Sequence, residues 1–121
     1  MIPVVYYAHS MRIYNTIREQ HELEIIHHYF WQSLIFNPNR GSIQHATNPM
    51  QACLDIVNDE SVKQLVFSEV DGCIEQGVYA EIQLAKRHEI PIFVIEHNAL
   101  APVDGVFKKI PGKKNKYKRQ T

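Results

Sequence analysis

Ile2-Pro3-Val4-Val5-Tyr6-Tyr7-Ala8-His9-Ser10 is a run of β-branched and aromatic residues that ends abruptly on two polar ones. A short apolar run of this kind predicts a buried strand rather than a helix. The period then changes. Ile13 and Ile17, followed by Leu23, Ile26 and Phe30 with Ile25 and Tyr29 beside them, form an apolar stripe among Arg18, Glu19, Glu22 and Glu24. This predicts an amphipathic helix over 14–33. Leu34-Ile35-Phe36 is a second strand, closed by Asn37-Pro38-Asn39 because proline donates nothing to a ladder.

Met50, Cys53, Leu54 and Val57 recur at helical spacing, Leu65-Val66-Phe67 reads as a third strand, and Gly77 precedes a helix bearing Val78, Ile82 and Ala85. Pro91-Ile92-Phe93-Val94-Ile95 is a fully apolar fourth strand, and Val106-Phe107 is a candidate fifth. Strands alternating with helices imply parallel βαβ units. The expected class is α/β: a single three-layer sandwich with a parallel sheet of about five strands. In such sheets ligands gather beyond the carboxyl ends of the strands. Three segments fall there: His9–Tyr14, Asn37–Ala46 and Glu69–Glu81.

The 121 residues suit one domain, with a boundary expected at residue 110 and a basic, disordered tail over 111–121. Lys+Arg and Asp+Glu both number 13, yet seven of the bases lie within 108–119, which leaves residues 1–107 at a formal charge of −7. Apolar residues make up 45% of the chain, a globular proportion, and no run approaches the roughly 18 residues of a membrane span. Met1 leads straight into apolar sequence without a basic segment, and Cys53 and Cys73 have no metal or redox spacing. A reduced, cytoplasmic setting without membrane contact is the expectation. Seven histidines include His21, His27 and His28 near Glu24, but no HExxH or Cys/His framework, so neither a metal nor another cofactor is expected.

Glu69-Val-Asp71-Gly-Cys-Ile-Glu75-Gln-Gly77-Val-Tyr79-Ala-Glu81 carries the strongest chemical signal: three acids in a loop, a glycine at a helix start and a fourth acid about one turn in. Helix amides favour an ionised carboxylate there, so Glu81 is expected to stay charged and to suit a nucleophile.

Asp71-Gly, Gly77-Val-Tyr-Ala-Glu81-Ile, Ala85 and Ile90-Pro91-Ile92 resemble the nucleoside 2-deoxyribosyltransferase superfamily, which includes 2′-deoxynucleoside 5′-monophosphate N-glycosidases. Val4-Val-Tyr6-Tyr7-Ala-His-Ser10-Met-Arg12 and Ile35-Phe-Asn-Pro38 extend the likeness over residues 2–97. The resemblance implies a flavodoxin-like or Rossmann-like fold, a nucleoside or nucleotide substrate, and assembly as a homodimer or larger homo-oligomer. It implies Glu81 as the nucleophile at the anomeric carbon, Glu75 as an acid that contacts the base, and Tyr6 or Tyr7 as the residue orienting the nucleophile. For substrate binding it implies His9-Ser10-Met11-Arg12 around a 5′-phosphate, Asp55 or Asp59 on the sugar, and Asp71 and Gly77 beside them. His9 stands where the monophosphate hydrolases have glycine. That departure keeps open a second function, a nucleotide-binding or sensing module without turnover. The basic tail adds nucleic acid as a less favoured partner, and Trp31 is expected in the core or at a subunit interface.

Overall fold

Within residues 1–120, which the computed structural model describes, the elements run β1 (Val4–Ala8), α1 (Ile17–Tyr29), β2 (Leu34–Phe36), α2 (Gly41–Gln44), α3 (Pro49–Val57), β3 (Val62–Phe67), β4 (Ile74–Glu75), α4 (Gln76–Arg87), β5 (Ile92–Glu96), β6 (Ala99–Pro102), β7 (Phe107–Lys109) and β8 (Lys116–Arg119). The main sheet has the order β2-β1-β3-β5-β6. Its first four strands are parallel.

Because side chains alternate across a strand, β1 feeds two cores. Tyr6 and Ala8 join Val57, Leu65, Phe67, Val78 and Ile82 beneath α3 and α4. Val5 and Tyr7 join Ile26 and Val66 beneath α1. Helices on both faces of a mostly parallel sheet make the three-layer α/β sandwich. No helix among the described residues is long and apolar enough to cross a membrane.

Three expectations are corrected. The fifth strand of the main sheet is β6, not Val106-Phe107, and it runs antiparallel to β5. His97 and Asn98, at φ 53° and 61°, make the tight reversal that two residues allow. The first long helix starts at Ile17, because a 3-10 turn at Met11–Ile13 intervenes and Thr16 caps the helix by accepting from the Glu19 amide at 3.2 Å. Ile17 is therefore exposed, and Glu19 and Glu22 take the inward positions. Trp31 is 67% exposed, outside the core of this chain.

The expected disordered tail is the third correction. Residues 116–119 form β8, the central strand of a second, antiparallel sheet in the order β4-β8-β7; Thr121 lies outside the described residues. Lys116-Tyr117-Lys118-Arg119 alternates. Tyr117 stacks on Tyr79 at 3.8 Å, and Arg119 reaches Glu69 at 3.3 Å and Glu96 at 2.9 Å. Alternate residues are anchored while the lysines between them give the segment its solvated composition.

Gly105 joins the two sheets at φ +74°, where a Cβ would stand 2.9 Å from Ile92 Cδ1 and 3.3 Å from Ile82 Cγ2. Gly105→Ala should cost about 1–3 kcal/mol through left-handed strain and overpacking. Urea unfolding of the two proteins measures it; equal midpoints would contradict this packing.

Candidate active site

A cleft of about 710 Å³ opens at the carboxyl end of β1, walled by the 9–14 segment, Ile43, Met50 and Cys53 on one side and by Glu75–Val78 and the 114–116 segment on the other. Glu81 lies at its base. α4 carries Glu81 beneath the sheet end, 5% exposed, and the Tyr6 hydroxyl donates to its Oε2. The Cys53 thiol of α3 lies beside the same carboxylate.

Burial raises the Glu81 pKa to about 7, against the Tyr6 hydroxyl and the neighbouring Cys53 thiol, which lower it. The expectation of a permanently charged Glu81 is thus overturned: it sits beyond the first turn of α4, and loss of water outweighs its donors. Burial and the adjacent Glu81 push Tyr6 in turn far above its ordinary value, so it remains a donor. Stacking on Phe36, with centroids 5.5 Å apart, holds the phenol in place.

The cleft rim begins at Ser10. Its hydroxyl accepts from the Arg12 amide at 3.1 Å and donates to Glu75 Oε1. Glu75 ends β4 at the N-cap of α4 without capping it, and its carboxylate turns to Ser10. Met11, 76% exposed, and Arg12 stand at the mouth. Arg12 Nη2 is 3.3 Å from Asp71 Oδ2, an exposed pair worth little by itself. Asp71 and Gly72, at φ 55° and 74°, occupy the two central positions of the reversal between Val70 and Cys73. The Asp-Gly pair thus has a turn-forming reason to be there. Gly77 lines the cleft, and a Cβ there would meet only Met50 Sδ at 3.5 Å, so close approach does not require glycine.

Strand alternation settles which tyrosine meets Glu81. Tyr7 faces α1, where its hydroxyl donates to buried Glu22, itself held by Arg18 Nε at 2.9 Å. Tyr7 is therefore not beside the nucleophile candidate. His9 borders the cleft, but its imidazole is fully buried, stacked on Tyr7 at 3.7 Å. Nε2 lies 2.8 Å from Glu19 Oε2 and Nδ1 3.2 Å from the Tyr7 carbonyl. Burial lowers the His9 pKa, while for Glu19 the burial that would raise it is outweighed by bonds from His9, the Asn15 amide and Asn39. Both partners are acceptors, so a neutral ring donates to only one of them, and the shorter contact assigns the proton to Nε2, facing Glu19. Both ring nitrogens are engaged inward, so His9 fixes the loop rather than touching a ligand.

Asp55 is not gathered into the site: it is exposed and accepts from Gln51 at 2.9 Å. Asp59 caps the turn at Ser61. Arg40 packs over the Phe36 ring at 4.3 Å. Cys53, Lys114 and Lys116 are cleft residues that sequence reasoning missed, while Tyr14 lies in the expected His9–Tyr14 segment. Only Cys53 carried a signal, as an inward position of α3. Family models, curated proteins and solved structures gave no match to this chain.

Proposed function

We propose that this protein cleaves or exchanges the N-glycosidic bond of a nucleoside or nucleotide, as a member of the nucleoside 2-deoxyribosyltransferase superfamily with Glu81 as nucleophile. The observation carrying this reading is the buried Glu81 carboxylate, held by Tyr6 at the floor of a cleft whose rim holds a second carboxylate, Glu75. Glu81 attacks the anomeric carbon as the C–N bond breaks, and the electron pair leaves with the base. Glu75, steadied by Ser10, faces the departing base and manages its proton. Water or an incoming base then displaces Glu81. Arg12 stands where a 5′-phosphate would enter. Incubation with deoxynucleosides and their 5′-monophosphates, with and without an acceptor base, tests this: free or exchanged base is expected, and none from any substrate would refute it.

A nucleophile must be ionised, so kcat/KM should rise with pH through about 7. Tyr6→Phe removes a bond that lowers the Glu81 pKa, so the rise should move to higher pH. A pH–rate profile checks this; an unmoved limb would detach Tyr6 from Glu81.

The second reading is nucleotide binding without turnover, favoured by His9 in place of glycine and by the burial of Glu81. Tight binding by wild type and Glu81→Gln, with no base released by either, would establish it.

A further inference from the structure

The basic segment expected as a loose tail forms one face of a folded sheet that continues from the cleft. Tyr117 and Arg119 point into the body, toward Tyr79 and toward Glu69 and Glu96, so alternation turns Lys116 and Lys118 to the other side. Lys116 lines the cleft, and Lys108 is directly opposite Lys118 in the β7–β8 ladder. Like charges so placed repel. Among the described residues no carboxylate forms an ion pair with any of the three. Glu75, opposite Lys116 in the ladder, bonds Ser10 instead.

We propose that Lys116, Lys118 and Lys108 form a track for the phosphodiester backbone of single-stranded nucleic acid, leading from the cleft mouth across the small sheet. Spacing selects the ligand. Lys116 and Lys118 are about 7 Å apart along the strand, and Lys108 lies about 5 Å across from Lys118. Phosphorus atoms bridged by one oxygen, as in a diphosphate, sit closer together than this. Successive phosphodiesters, separated by a whole sugar, match it better. The choice of a single strand over a duplex rests on the proposed N-glycosidase reading, in which a base must leave its stack to enter the cleft. The cations also offset locally the −7 of residues 1–107, which would otherwise repel a polyanion.

The test is fluorescence anisotropy with a labelled single-stranded DNA of about eight nucleotides, on Glu81→Gln protein so that no turnover intervenes. Lys108→Gln/Lys116→Gln/Lys118→Gln should bind at least about tenfold more weakly at low salt, and its slope of log K against log salt should be shallower by about two. Arginine at the same three positions should restore binding, which separates charge from folding. Unchanged binding by the glutamine triple overturns the proposal. So does equal weakening by Lys63→Gln/Lys86→Gln, or displacement of the DNA by tripolyphosphate at matched phosphate concentration. Base release by wild type is scored separately, so strand binding and glycosidic chemistry can fail independently.

Discussion

Glu81→Gln should abolish base release while making the protein more stable at pH 8. The first effect should be at least about 10³-fold in kcat, since an amide neither attacks nor leaves as a carboxylate does. The second follows from linkage. A folded-state pKa of about 7, against an ordinary 4.5, means the folded protein binds more protons than the unfolded one between those values. Stability contributed by protonated Glu81 is complete below about pH 4.5 and is lost as pH rises through 7. By pH 8 the wild type carries a penalty of about 3 kcal/mol that glutamine avoids. The amide carbonyl of the variant still accepts from Tyr6, so packing is conserved. Thermal unfolding should show a gain of roughly 10 °C at pH 8 that disappears near pH 4.5. A gain over wild type no larger at pH 8 than at pH 4.5 would show that Glu81 is not desolvated as described. Stability given up at a buried acid is expected where an active site needs it.

Deleting residues 111–121 should destabilise the protein by about 3–5 kcal/mol, against the few tenths expected for a solvated end. β8 pairs with both β4 and β7, so its loss leaves two short strands without their central partner. It also removes Tyr117 from its stack on Tyr79, worth about 2 kcal/mol of apolar burial, and breaks the half-buried Arg119 bonds to Glu69 and Glu96. Because β4 holds Glu75 at the rim, activity should fall beyond what the lost stability explains. Urea unfolding and a base-release assay on folded protein measure the two effects. Unchanged stability would mean the small sheet is not part of the fold.

The order of strands and helices was legible because period changes are written locally: the apolar run from Ile2 to Ala8, the helical spacing of Met50, Cys53, Leu54 and Val57, and the apolar run from Pro91 to Ile95. Glu81, Tyr6 and Ser10–Glu75 were legible as candidates, yet their juxtaposition was not. Tyr6 and Tyr7 differ only in which face of β1 they occupy, and that depends on where α1 and α4 pack. The charge state of Glu81 is not written locally for the same reason, since burial is a tertiary property. β8 is masked in the sequence because Lys116-Tyr117-Lys118-Arg119 hides two anchoring residues inside a basic run. Glu19 and Glu22 looked like a solvent face until Thr16 fixed where α1 begins.

The most direct measurement is peptide mass mapping after reaction with deoxynucleoside analogues carrying 2-fluorine, which slows breakdown of a glycosyl-enzyme intermediate. A single sugar adduct on the peptide containing Glu81, absent from Glu81→Gln, is the expected result. Base release with no adduct, or an adduct on another residue, would remove Glu81 from the role of nucleophile.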